Sequence, residues 1–333
     1  MSKVTLAPNG RFRTIVFSCM HLGEKGGQRQ DDLTFSYYQK VLDACKPKPD
    51  YIVFGGDIVT GKDVGSSEEG LDSHLRPFLN HCNTPFSFAF GTRDNTPYTR
   101  RTDIFNYLST NYGRYSHTRL DAGPSPYRNG NHNVLVYEDE HSKEPSKIMW
   151  FLDSGGCTPR VNGSMDVEPS VSPDVSAWIQ AETYAMKSKW GSLPQSLVFV
   201  HRPFSIMDNK SILEEEARGR NSGFDGDLKM QNVGGDIVLD TLKSDLGFSK
   251  GDMLLFSSGQ LHVEDRGAER GLSRSGIPQS IGGNKNMTLT RRSGGTPDLD
   301  PNTTPCAVRI IDVSDAVVDS WSMLLPRRME RWG

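Results

Sequence analysis

Five short stretches of this chain are apolar almost without interruption: RTIVFSC (13–19), YIVFGG (51–56), PFSFAFG (85–91), SLVFVH (196–201) and DMLLFSSG (252–259). A strand with one face in water alternates apolar and polar residues, so a strand that does not alternate is covered on both faces. Helical spacing lies between these runs. DDLTFSYYQKVLDAC (31–45) places Leu33, Tyr37, Val41 and Leu42 on one face behind Asp31 or Asp32 as cap, and a further helical stretch precedes PFSFAFG. GDIVLDTLKSDLGF (235–248) separates the last two runs, and SPDVSAWIQAETYAMKSKWG (172–191) carries Ser172 as N-cap, Pro173 in the first turn and Gly191 as C-cap. Strand–helix alternation of this kind predicts a layered α/β fold around a parallel sheet. NVLVYE (133–138) and KIMWFLD (147–153) read as a hairpin, and CAVRIIDV with AVVDSWSMLL as a closing β pair.

At 333 residues the expected organisation is one domain, 1–333, with loop-rich insertions at 202–234 and 264–305. A net charge of −3 and the lack of a clustered basic face argue against nucleic acid as a partner. No apolar run approaches the 18 or so residues that span a bilayer. Five cysteines without C-x-x-C spacing point to a reducing compartment. The expected location is intracellular, cytoplasmic first, with a mitochondrial address left open by Lys3, Arg11 and Arg13.

Polar residues stand where the apolar runs stop. The first run leads into Cys19, Met20 and His21, the second into Asp57, and the third into Thr92, Arg93 and Asp94. His201 follows the fourth run, and Gly259, Gln260, Leu261 and His262 follow the last. Carboxyl ends of strands are where α/β folds gather their ligand sites. His21, Asp57, His201 and His262 can therefore converge, and imidazole with carboxylate suits zinc, iron or manganese.

In order and spacing these blocks resemble the calcineurin-like metallophosphoesterases, whose motifs run D-x-H, G-D, G-N-H-[DE], H and G-H-x-H. CMHLGE, PDYIVFGGDIVTG, FAFGTRDN, WFLDSGG, VFVHRPF and SSGQLHVED match, in order, the intracellular purple-acid-phosphatase-like branch over roughly 12–265. The resemblance implies a four-layer α/β/β/α sandwich with mixed sheets and a two-metal site at the strand ends.

Several chemical positions depart from the family pattern. Cys19 stands for a ligand aspartate, Thr92 for a ligand asparagine, and Gln260 for a ligand histidine. Arg93 stands for the histidine that assists the leaving group. By resemblance one metal position comprises Cys19, His21, Asp57 and His262, a chemically sound zinc set. The other comprises Asp57, Thr92, His201 and Gln260, too weak in donors to be filled, with His201 its remnant. The cofactor expectation is accordingly one divalent metal (Zn or Fe/Mn) or none.

An arginine cannot donate a proton near neutral pH, though it can grip a phosphate oxygen in a fork. The catalytic place therefore falls to Arg93 with Asp94. The plainer reading is that Arg93 pairs with a nearby carboxylate, that Asp94 and Asp153 brace loops, and that Cys19 is a small buried apolar group. The function expected is a pseudophosphatase, a binding or structural subunit meeting other proteins through the insertions and retaining affinity for a phosphate-containing ligand. The alternative is a weak mononuclear metal-dependent phosphomonoesterase or phosphodiesterase. A literal G-N-H at 130–132 precedes a strand instead of following one, so His132 is not the missing catalytic group. His74, His81, His117 and His141 are read as surface residues.

Overall fold

The computed structural model describes residues 3–18, 20–23, 28–59, 64–96, 98–123, 129–159, 165–168, 171–201, 235–246, 253–257, 306–314 and 318–325. One five-stranded sheet runs β12 (Val318–Leu325), β11 (Cys306–Val313), β2 (Phe12–Phe17), β3 (Tyr51–Phe54), β4 (Phe86–Phe88). Its β2, β3 and β4 are parallel, and β11 joins antiparallel to both β2 and β12. The second sheet runs β1 (Val4–Thr5), β5 (His132–Tyr137), β6 (Pro145–Leu152), β9 (Gln195–Val200), β10 (Met253–Ser257). The expected hairpin is there, with β5 antiparallel to β6, while β6, β9 and β10 are parallel. A two-stranded ribbon, β7 (Gly156–Pro159) with β8 (Met165–Glu168), was not foreseen.

Three apolar layers make this a four-layer α/β/β/α sandwich. Ile15, Phe17, Ile52, Phe54, Phe86 and Phe88 turn one face of the first sheet toward helices α1 (Gln28–Ala44), α2 (Glu68–Cys82) and α3 (Arg101–Tyr112). The opposite residues, Phe12, Val16, Tyr51 and Val53, meet Val134, Met149, Phe151, Leu197 and Phe199 between the sheets. Ile148, Trp150, Val198 and Val200 then face outward onto α4 (Val175–Trp190) and α5 (Gly235–Leu246). Successive strand residues point to opposite faces, and here both faces are interior, hence the unbroken apolar runs.

Several boundaries differ from expectation for local reasons. Helix α1 begins at Gln28, so Asp31 lies in its first turn. There Asp31 accepts from the Gly23 N–H (3.1 Å) and lies 3.0 Å from His74 Nδ1. Helix α4 begins three residues after Ser172, with Asp174 at the N-cap; its end is as expected, Gly191 adopting φ 79° and donating to Lys187 O. Helix α3 went unread, although Ile104, Tyr107 and Leu108 carry its buried stripe. His117 is 5% exposed and His74 lies against Asp31, so neither is the surface residue expected. No described helix is long and apolar enough to cross a membrane. Both expected insertions lie outside the described residues.

Candidate functional site

The ends of β2, β3, β4, β6 and β9 deliver Met20–His21, Gly55–Asp57, Gly91–Asp94, Asp153–Gly155 and His201 to one edge of the sandwich. The first two loops run side by side: His21 N–H donates to Asp57 O (3.0 Å) and Leu22 N–H to Ile58 O (2.8 Å). This path forces left-handed backbone at His21 (φ 49°) and Asp57 (φ 52°). Asp tolerates that region better than most residues, but neither position is cost-free. Gly56 (φ 95°) has no substitute, because a Cβ there would lie 2.6 Å from the His201 ring and 2.7 Å from Gly91 N.

Asp57 sits at the centre, 4% exposed. Its Oδ1 accepts from the Arg93 backbone N–H (2.8 Å), and its Oδ2 lies 3.2 Å from His201 Nε2. The other imidazole nitrogen, Nδ1, is 2.7 Å from Gly55 O and donates to it, which turns Nε2 toward the carboxylate. Burial pushes the Asp57 carboxyl up, but the His201 charge and hydrogen bond, with the His21 charge, outweigh it and hold Asp57 ionised. The reciprocal effect raises His201: burial works against its cation, and the Asp57 carboxylate more than offsets that.

Asp94, named with Arg93 for the catalytic place, braces the loops around Asp57. It is fully buried, with Oδ2 accepting from the Asp57 and Gly91 N–H groups (2.8 and 2.7 Å) and Oδ1 from Ile58 and Val59 (2.7 and 3.1 Å). Burial and the neighbouring Asp57 charge press its pKa upward, against those backbone N–H groups. Asp153 braces likewise. Its Oδ2 lies 2.6 Å from Arg101 Nε and accepts from Gly130 N–H (3.0 Å), while Oδ1 accepts from Gly155 N–H (3.0 Å). Next to it Ser154 donates its N–H to Phe90 O and accepts the His201 N–H on Oγ, both at 3.1 Å.

Of the metal positions implied by the motifs, His21, Asp57 and His201 are described and brought together, with Thr92 beside them at 9% exposure. Cys19, Gln260 and His262 lie outside the described residues. Two ligands of one zinc, each at about 2.0–2.2 Å, stand roughly 3 Å apart. The 3.2 Å Asp57–His201 spacing is of that size, so the remnant keeps ligand-like positions while its donors face each other. Of the other two residues assigned to that position by resemblance, Thr92 brings a neutral hydroxyl, and Gln260 lies outside the described residues. Among the described residues no group of three or more His, Cys, Asp or Glu is placed to hold a metal. Arg101 and Ser154, which bind the loops together, escaped sequence reasoning. An arginine opening a helix and a serine after an aspartate carry no distinctive pattern.

No family model matches the chain. It is 23% identical over 282 residues, 72% of this chain and 70% of the other, to an Arabidopsis thaliana protein named "Probable inactive purple acid phosphatase 29". Among solved structures it aligns with GAP50, the anchor in the inner membrane complex of Plasmodium, at 10% identity and TM-score 0.46, over 96% of this chain and 90% of that one. It also aligns with the cold-active protein-tyrosine phosphatase of the psychrophile Shewanella sp., at 15% identity and TM-score 0.23, over 58% and 53%.

Proposed function

We propose that this chain, a purple-acid-phosphatase-like member of the calcineurin-like phosphoesterases, is a pseudophosphatase: a protein that keeps the phosphoesterase scaffold and uses it to bind instead of to hydrolyse. The observation that carries the reading is the residue content of the loop against Asp57: Thr92 and Arg93 stand there, where the family pattern has a ligand asparagine and a leaving-group histidine. Two-metal hydrolysis needs both ions to clamp the phosphate and to generate the attacking hydroxide. By resemblance the second position is left with one carboxylate, Asp57, and one imidazole, His201, as its strong donors. Losing general acid catalysis at Arg93 would by itself cost on the order of 10²–10⁴ in rate.

The name of the Arabidopsis relative, which describes that protein as inactive, agrees with this reading. In the proposal, segments 202–234 and 264–305 meet protein partners as part of a larger intracellular, cytoplasmic assembly. Arg93 keeps affinity for a phosphate-containing ligand.

One observation favours the alternative, a weak mononuclear phosphoesterase. Left-handed backbone is retained at His21 and Asp57, and such strain persists at working sites. In that reading Cys19, His21, Asp57 and His262 would hold one divalent ion, zinc, iron or manganese, whose chemistry is to polarise a phosphate oxygen. Metal content by mass spectrometry, beside a His21→Ala/His262→Ala double variant, together with turnover of p-nitrophenyl phosphate and bis-p-nitrophenyl phosphate, separates the two. Turnover that is absent, or unchanged in the double variant, is expected. One metal per chain, with turnover lost in the variant, would establish the alternative.

A further inference from the structure

The strand-end loops come from two different sheets, and in a two-metal site the ions would tie them together. A different tie is visible here. Arg101, the first residue of α3, is wholly buried, and its ion pair with Asp153 has no solvent exposure on either side. Its Nε lies 2.6 Å from Asp153 Oδ2, one terminal nitrogen donates to Gly91 O (2.9 Å) and to Gly155 O, and its guanidinium carbon is 5.6 Å from the Phe90 ring centre. Gly91 and Phe90 follow β4 of the first sheet; Asp153 and Gly155 follow β6 of the second. One side chain therefore grips the ends of both sheets.

The position is not explained by the helix. A cation in the first turn opposes the helix dipole, and burying a charge is costly unless it is paired and fully hydrogen-bonded. Arg101 is retained against both penalties. From its grip, short chains of bonds reach the centre of the site. Gly91 N–H donates to Asp94 Oδ2, the same carboxylate that holds the Asp57, Ile58 and Val59 N–H groups. Beside Asp153, Ser154 Oγ accepts the His201 N–H.

We infer that Arg101 is a positioning residue, a buried cation that locks the loops bearing Asp57 and His201 against each other and makes the geometry of this site independent of metal. The inference rests on the pseudophosphatase reading in one respect, that no metal ion ties the sheets.

Hydrogen exchange followed by mass spectrometry on the full chain tests it, comparing wild type with and without EDTA, Arg101→Met, and Arg101→Lys. Met preserves much of the aliphatic volume and removes the guanidinium. In Arg101→Met the amides of Asp57, Ile58, Val59, Gly91, Gly130 and Gly155 are expected to exchange faster by on the order of 10²-fold, while amides within β3 and β9 change far less. Arg101→Lys, which keeps the charge and one contact to Asp153, is expected to lie between; it reads the same amides should the Met variant not fold. EDTA is expected to leave the wild-type pattern unchanged. Acceleration spread evenly over loops and core strands would overturn the clamp, since Arg101 would then add only to global stability. Acceleration of the same loop amides by EDTA in the wild type would overturn the metal-free reading, and the Arg101 variants would still report on the clamp separately.

Discussion

Acid should loosen this protein from between its sheets, and His117→Phe shows why. His117 follows α3, lies 5% exposed with its ring centre 6.0 Å from that of Tyr51, and its Nε2 has no hydrogen-bond partner among the described residues. His132, on β5, stacks on Phe151 and reaches Ser87 Oγ at 3.2 Å, and Ser87 in turn meets Tyr51 OH at 2.8 Å. Burial, then the Arg119 charge and the N-terminal amine, lower the His117 pKa from 6.5 to about 4. Burial, Arg119 and His117 itself lower His132 to about 3, against a weaker upward pull from Gly130 O. In the unfolded chain both bind a proton near pH 6.5.

Between those values the unfolded state holds more protons, so stability falls as pH falls from about 6.5 toward about 4. From pH 7 to pH 5 each histidine should remove about 2 kcal/mol. Carboxyls whose pKa values burial raises, Asp94 and Asp153 among them, act in the opposite sense. The decisive quantity is therefore the difference between wild type and variant. Urea unfolding followed by tryptophan fluorescence at the two pH values should show His117→Phe losing about 2 kcal/mol less than wild type. Equal losses in the two proteins would refute the reasoning.

Asp94→Asn replaces an acceptor of four backbone N–H groups by a group with one acceptor oxygen and a clashing amide, so it should cost about 3 kcal/mol, read as a lowered calorimetric midpoint. A loss below about 1 kcal/mol would mean those bonds are not made in solution. Gly91→Ala places a Cβ 2.5 Å from Asp57 N and against Asp57 Oδ1, and should destabilise by about 1–3 kcal/mol in the same measurement. A neutral Gly91→Ala would show that the β3 and β4 loops do not approach as closely as described.

The sequence by itself determined the layers and the register of the chemistry. Unbroken apolar strands can exist only where both faces are covered, and each ended in a residue able to bind or ionise, so the positions of His21, Asp57, Thr92, Arg93 and His201 at one edge were legible from the chain. The absence of ligand-type side chains at Thr92 and Gln260 was equally plain, because the identity of a donor is a property of sequence. Tertiary structure decided what those side chains do with one another. Asp94 became a brace because the loops after β3 and β4 present four N–H groups to it, an arrangement that depends on the path of two separate segments. His117 and His132 were placed in the interior by sheet-on-sheet packing, which no local pattern encodes. Arg101 and Asp153 are 52 residues apart in the numbering and meet only because the two sheets end at the same edge. Local periodicity fixes which face of a strand is buried, whereas the partner of a buried charge is chosen by residues distant along the chain, and that choice exists only once the sheets have stacked.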